Sequence, residues 1–250
     1  MLLNAPLSSA LLIGATFALA GLVKGAIGLG LPTVAMGLLS LLMPPAEAAA
    51  LLLAPSLVTN VWQLLAGPRF GALVRRLWPM MAGIAAGTLA SAGLVAGAGG
   101  KGAMAALGAA LLAFGAVGLL KLRLNVPPRW EPWAGPAVGA ATGLVTGATG
   151  VFVVPAVPYL GALGLGRDDL VQALGLSFTV STLALAAGLA WNGALPALAL
   201  GGSVLAVIPA LAGMAAGGWL RARVRPDTFR MWFFAGLGVL GAELLWRGVG

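Results

Sequence analysis

The sequence predicts an all-α polytopic membrane protein: about ten transmembrane segments, some of them half-helices or re-entrant, in two inverted five-segment repeats. Three observations carry this reading: the composition, the spacing of apolar runs, and a self-match at a fixed offset. Of 250 residues, 60% are hydrophobic and 8% are charged, and mean hydropathy is +1.04. A water-soluble domain carries about 25% charged residues, so this chain lacks the side chains to cover a wet surface. Soluble enzymes and nucleic-acid binders are excluded on that ground. Cysteine and histidine are both absent, which removes disulfides, thiolate chemistry, histidine relays and most transition-metal sites. The residues call for no cofactor, no metal and no catalytic constellation.

Apolar runs fall at 7–23, 31–43, 46–66, 77–98, 103–122, 133–148, 151–164, 169–191, 195–220 and 229–246. A crossing takes about 20 residues, so most of these reach. The runs 31–43, 133–148 and 151–164 fall short, and 7–23 is marginal. No basic stretch precedes 7–23, so it is read as a first helix and not as a cleaved leader. Glycine-rich breaks at 25–30 and 147–150, with Pro32 and Pro155 just beyond, interrupt the pattern. Broken backbone at membrane depth must be buried in protein or line a wet cavity.

The breaks recur. Gly21-Leu-Val-Lys-Gly-Ala-Ile-Gly28 matches Gly143-Leu-Val-Thr-Gly-Ala-Thr-Gly150 at an offset of 122. The same offset pairs Glu47 with Asp169, Thr59 with Ser181 and Asn60 with Thr182. Ala82-Gly-Ile-Ala-Ala-Gly87 then matches Ala212-Gly-Met-Ala-Ala-Gly217 at an offset of 130. Two matches in the same order read as a duplication: a first repeat at 1–124, a basic cytoplasmic linker at 125–132, and a second repeat at 133–250. If every segment crosses, one side collects Arg69, Arg75, Arg76, Lys121, Arg123, Arg129, Arg167, Arg221, Arg223, Arg225 and Arg230. The other side keeps Lys101 and Arg247, and Lys24 lies within a break. By the positive-inside rule the first side is cytoplasmic, which places both termini in the periplasm of a bacterial inner membrane. Five segments per repeat, an odd number, invert the second half. Inverted repeats are a common design of secondary transporters that alternate access around a midplane site.

These residues resemble the TauE/SafE family of bacterial membrane transporters, the sulfite exporter family. The resemblance rests on G-L-V-x-G-x-x-G at 21–28 and 143–150, on the acid opening the next long helix, and on the small-xxx-small helix after it. It implies a secondary-active transporter exporting a small sulfur-containing oxyanion, a sulfite or an organosulfonate, coupled to a proton or sodium gradient. An uptake permease for an anion such as thiosulfate, and a passive anion channel, are the alternatives. The implied partners are the small anion, the coupling ion and membrane lipid.

A helix that begins inside the membrane leaves free N–H groups and a positive dipole end, where an anion fits. Gly28, Gly30, Thr33, Thr149 and Gly150 are therefore substrate-binding candidates, unless the glycines serve only close helix crossing. Lys24 adds a full charge beside the first break, and an ionised residue inside a membrane segment is a site candidate by default. Snorkelling to the interface is its alternative. Ser56, Asn60 and Gln63 form one polar stripe, and Gln172, Thr179 and Thr182 another, with Ser177 and Ser181 beside it. Asn60, Ser177 and Thr182 join the binding set; the other reading of such stripes is interhelical hydrogen bonding. Glu47 and Asp169, with Asp168, are read either as helix caps and complements to the helix dipole or as coupling carboxylates. Gly83/Gly87 and Gly213/Gly217 are packing motifs. Trp130, Trp133, Trp191, Trp219 and Trp246 are interfacial anchors.

Overall fold

The computed structural model describes residues 7–97, 101–120, 125–221, 223 and 226–250. It contains ten α-helices and, among the described residues, no strand. In the first half these are α1 (Leu7–Ile27), α2 (Leu31–Leu39), α3 (Pro45–Leu65), α4 (Phe70–Gly97) and α5 (Lys101–Leu120). A single 3-10 turn, Pro128–Trp130, leads into the second half: α6 (Glu131–Thr149), α7 (Ala156–Ala162), α8 (Arg167–Trp191), α9 (Ala197–Arg221) and α10 (Pro226–Val249). Seven of them, all but α2, α6 and α7, are long and apolar enough to cross a membrane.

The broken regions are narrower than the glycine content suggested. α1 has 21 residues and α6 has 19, so neither 7–23 nor 133–148 is a short segment. Gly25 and Gly147 stay helical. A Cβ on Gly25 would run into the Met214 carbonyl of α9, and one on Gly147 into Thr88 and Ser91 of α4. These two glycines are contact points, not breaks. Only α2, with nine residues, and α7, with seven, are short. At 1.5 Å per residue α2 is about 14 Å long, under half a hydrocarbon core of about 30 Å. The true helix ends are at Gly28 (φ 79°) and Gly150 (φ 71°). This left-handed conformation terminates a helix and favours glycine. Each accepts the same closure, Gly28 N–H donating to Lys24 O and Gly150 N–H to Thr146 O, both at 2.7 Å.

Packing crosses between the halves. α1 lies against α9, α4 against α6, and α5 against α10, while α3 and α8 meet each other and also touch α9 and α4 respectively. The first two contacts are backbone to backbone. Gly21 and Gly25 face the carbonyls of Ala210 and Met214, and Gly213 and Gly217 face those of Ala18 and Leu22. In the same way Gly83 and Gly87 meet Pro136 and Ala140, and Gly139 and Gly143 meet Met80 and Ile84. Small residues allow this approach in lipid, where no hydrophobic force drives helices together. The packing motifs expected at Gly83/Gly87 and Gly213/Gly217 are therefore in place. Their partners are the glycines of the G-L-V-x-G repeats.

α3 and α8 form the centre: 67% and 72% of their spans are buried, against 28–44% for the other five long helices. The periphery is apolar and faces outward, and all eight tryptophans are exposed, Trp62, Trp78 and Trp232 with the five expected anchors. Pro55 interrupts α3 and leaves the Leu51 carbonyl without its helical donor. Ser203 of α9 fills the gap, donating to Leu51 O at 2.8 Å and accepting from Ala54 N–H at 2.9 Å.

Candidate functional site

The polar residues of α1, α3 and α8 converge at the centre of the bundle. Lys24 is 4% exposed, Asn60 is fully buried and Thr182 is 1% exposed. Lys24 Nζ donates to Asn60 Oδ1. Asn60 Nδ2 donates to Thr182 Oγ1 at 3.4 Å, and that hydroxyl donates to Phe178 O at 2.7 Å. The result is a directional chain from an ammonium on α1, through an amide on α3, to a hydroxyl on α8. Lys24 does not snorkel: its stem and head are enclosed by protein. Asn60 and Thr182, matched at the offset of 122, touch each other.

Three further buried hydroxyls on α3 and α8 have no partner among the described residues. Ser56 stands one turn before Asn60 on α3, while Ser177 and Ser181 flank Phe178 and Thr182 on α8; the Oγ of each is buried and unsatisfied. A helical serine or threonine ordinarily donates to a carbonyl one turn back, as Thr59 does to Pro55 O at 2.7 Å and Thr179 to Gly175 O at 2.7 Å. An unsatisfied buried polar group costs about 1–3 kcal/mol, so three together call for an occupant that accepts hydrogen bonds. An oxyanion is such an occupant. A lysine enclosed among apolar helices is costly to charge, and an anion at Nζ offsets that as well.

Residues 13–244 match the family model described as Sulfite exporter TauE/SafE. The chain belongs to that family. No curated protein matches it, and no solved structure does. Membership in the TauE/SafE family makes this a membrane transporter of sulfur compounds rather than an enzyme, with a small-molecule substrate. The seven long apolar helices agree with a multi-pass membrane protein.

Two recesses of this TauE/SafE protein lie beside the first helix break and at the start of α3. The first holds about 590 Å³ and is lined by Ile27, Gly28 and Leu29 of the first break, by Phe114, Val157, Leu170 and Phe234, and by Arg167, Arg221 and Arg230. Those arginines are exposed, so the recess has a basic mouth and an apolar wall. The second holds about 550 Å³ at the other end of α3 and α4, among Ser40, Met43, Pro44, Val95 and Met104. Lys24, Asn60 and Thr182 line neither recess.

The remaining candidates divide. Thr33 Oγ1 donates to Gly30 O at 2.8 Å, and Thr149 Oγ1 to Val145 O at 2.7 Å, so both hydroxyls are turned onto backbone. Gly30 (φ 108°) sits before α2, where Pro32 removes one amide of the first turn. Gly150 packs against Met36 of α2. Gln63 and Gln172 are interhelical fasteners. Gln63 Nε2 donates to Gly28 O at 3.1 Å and Val171 O at 2.8 Å, and Gln172 Nε2 to Leu64 O and Gly67 O at 2.8 and 2.7 Å. Asp169 does not cap α8; it pairs with Arg69 at 3.4 Å, and the cap position is Gly166. Glu47 does not cap α3, whose cap is Pro44, and its Oε2 is buried without a partner. Arg76 is a feature the sequence reading missed: it forks onto Glu131 at 2.6 and 2.8 Å and reaches Leu163 O at 3.3 Å. Ser203 is another, and Pro55 in an apolar run was the signal for it. Of the basic residues counted for topology, Lys121, Arg123 and Arg225 lie outside the described residues.

Proposed function

We propose that the protein exports a small sulfur oxyanion, sulfite or an organosulfonate, across the bacterial inner membrane by secondary-active alternating access. The two halves, 1–124 and 133–250 joined by 125–132, act in this reading as inverted repeats with both termini in the periplasm. The observation that carries it is the buried Lys24–Asn60–Thr182 chain, with the unsatisfied Ser56, Ser177 and Ser181 on the same two central helices, α3 and α8. Substrate binding is assigned to Lys24, Asn60, Thr182 and those serines. Gly28, Gly30, Thr33, Thr149 and Gly150 shape the two helix breaks around it.

Exchange of partners supports the symmetry. If α1 corresponds to α6 and α4 to α9, the contact of α1 with α9 maps onto that of α6 with α4, and α3 with α8 maps onto itself. Two residues related by a twofold axis touch only near that axis, so in this reading the Asn60–Thr182 contact supports a site beside it. The gathering of Arg167, Arg221 and Arg230 around one recess supports a cytoplasmic face there. A site closed off from both recesses favours a carrier over a passive channel.

The test is thermal unfolding of purified protein with sulfite, thiosulfate, sulfoacetate or taurine, against chloride. Sulfite or sulfoacetate at 100 times its Kd adds about 2.7 kcal/mol to the folded state, a shift of several degrees. Stabilisation by chloride equal to that by every sulfur anion overturns the assignment.

A further inference from the structure

Resting on the transporter reading above, we infer that the recess beside the first helix break captures the substrate and selects a sulfonate with an uncharged, apolar tail. Its lining separates charge from carbon. Arg167 opens α8, Arg221 closes α9 and Arg230 lies early in α10, so three helix ends bring their guanidinium groups to one recess. All three arginines are exposed, whereas Phe114, Leu174 and Phe234 of the same lining are buried. Charge therefore stands at the rim and carbon at depth. Among the described residues that line the recess, none brings an acid, an amide or a hydroxyl side chain.

A sulfonate head suits that rim, because a guanidinium presents a planar fork of donors to an oxyanion. A cleft with one sign of charge and low-dielectric walls concentrates the opposite ion. Bare sulfite uses the rim alone and leaves most of about 590 Å³ unfilled. An alkyl tail takes that depth and is itself removed from water. The same lining rejects a cationic tail. The ammonium of taurine meets arginine at the rim and no acid further in, so it is desolvated without a partner. The recess also adjoins the helix of the central site. Gln63 Nε2 donates to Gly28 O at 3.1 Å and to Val171 O at 2.8 Å, and both residues belong to the lining. Asn60 stands about one turn before Gln63 on α3. One side chain thus joins the recess wall to the helix that carries the binding amide, a junction that favours a transported anion over a bilayer lipid.

The probes are methanesulfonate, propanesulfonate, butanesulfonate and taurine. Each is titrated by calorimetry into the full chain in phosphatidylcholine nanodiscs, with empty nanodiscs as the background. Affinity should rise about fourfold with each added methylene. Taurine has the shape of propanesulfonate with an ammonium in place of the terminal methyl, and it should bind about tenfold more weakly or worse. Arg221→Gln with Arg230→Gln should weaken every sulfonate by about tenfold, whatever its tail. Leu170→Glu places an acid in the half-buried wall and should move the preference from propanesulfonate toward taurine. The melting temperature of each variant checks its fold, and the tail series on wild type stands without them. Methanesulfonate binding with no gain from a longer tail overturns the inference and leaves the transporter reading intact. Taurine binding as tightly as propanesulfonate does the same, as does an unchanged preference in folded Leu170→Glu or unchanged affinity in the folded arginine variant. Loss of butanesulfonate binding when phosphatidylglycerol replaces phosphatidylcholine assigns the recess to a lipid and also overturns the inference. If neither sulfite nor any sulfonate binds wild type, the sulfur-anion reading falls and the inference falls with it.

Discussion

The two helix breaks occupy the same position in the two halves and end in the same way, yet their polar groups do opposite things. At the first, Lys24 and Gln63 tie the break to the centre: Lys24 reaches Asn60, and Gln63 holds the Gly28 carbonyl. At the second, Thr146 stands where Lys24 stood and donates to Thr142 O at 2.8 Å and Val151 O at 3.3 Å. Thr149 also accepts from Val151 N–H at 3.2 Å. The second break closes on itself, and the first reaches across. The helix termination occurs twice, at Gly28 and Gly150, whereas the charge is present once. Backbone geometry is shared by the halves, and the buried charge belongs to one of them.

The largest expected effect tests the shared part. Gly213→Leu forces a side chain into the Ala18 carbonyl of α1, and with no flexible neighbour to move it should cost about 3 kcal/mol or more. Gly218→Leu, one helical step from Gly217 but open to the outside, should unfold at the wild-type temperature in detergent. Equal melting of the two would mean that the α1–α9 crossing is not a backbone contact. The next effect tests the difference between the breaks. Lys24→Met should weaken anion binding by about tenfold, or 1.4 kcal/mol, with little change in melting. Thr146→Val should do the reverse, costing about 1 kcal/mol of stability and leaving affinity alone. Titration calorimetry on the two variants decides whether the halves are as unlike as described. The smallest effect concerns the kink. Ser203→Ala orphans the Leu51 carbonyl opposite Pro55 and should lower stability by about 1 kcal/mol. α8 has Ser177 where α3 has Pro55, and no such fastener is needed there.

Helix identity and order were legible in the sequence because apolar runs and glycine punctuation are local signals. The two matching helix ends were legible because Gly28 and Gly150 close the same G-L-V-x-G-x-x-G pattern. The extent of the breaks was not. Gly25 and Gly147 look like helix breakers in isolation, and only the approach of Met214 and Thr88 shows that they are seats for another backbone. Lys24 and Asn60 were each named as candidates, but their meeting was beyond the sequence, because it depends on how α1 and α3 lean together over a separation of 36 residues. For Gln63 and Gln172 it is the interhelical reading of the stripes that holds, and sequence alone could not choose it. A polar stripe on a helix looks the same whether it faces a ligand or a neighbour's free carbonyl. Arg76 was counted as a topological charge, and nothing local announces that its fork closes on Glu131.

The interlocked crossings also set a timetable for biosynthesis. A helix that leaves the insertion machinery with its glycine face uncovered must wait for its mate, and the mate of α1 is α9. The stretch from Leu7 to Trp191 is made before α9 begins at Ala197, so α1 waits through most of translation. α4 waits only until α6. Late docking of this kind gives high contact order and slow closure. It means that the first helix inserted is among the last to find its place. A chain stalled after Trp191 leaves Gly21 and Gly25 without the Ala210 and Met214 backbone that covers them in the finished fold.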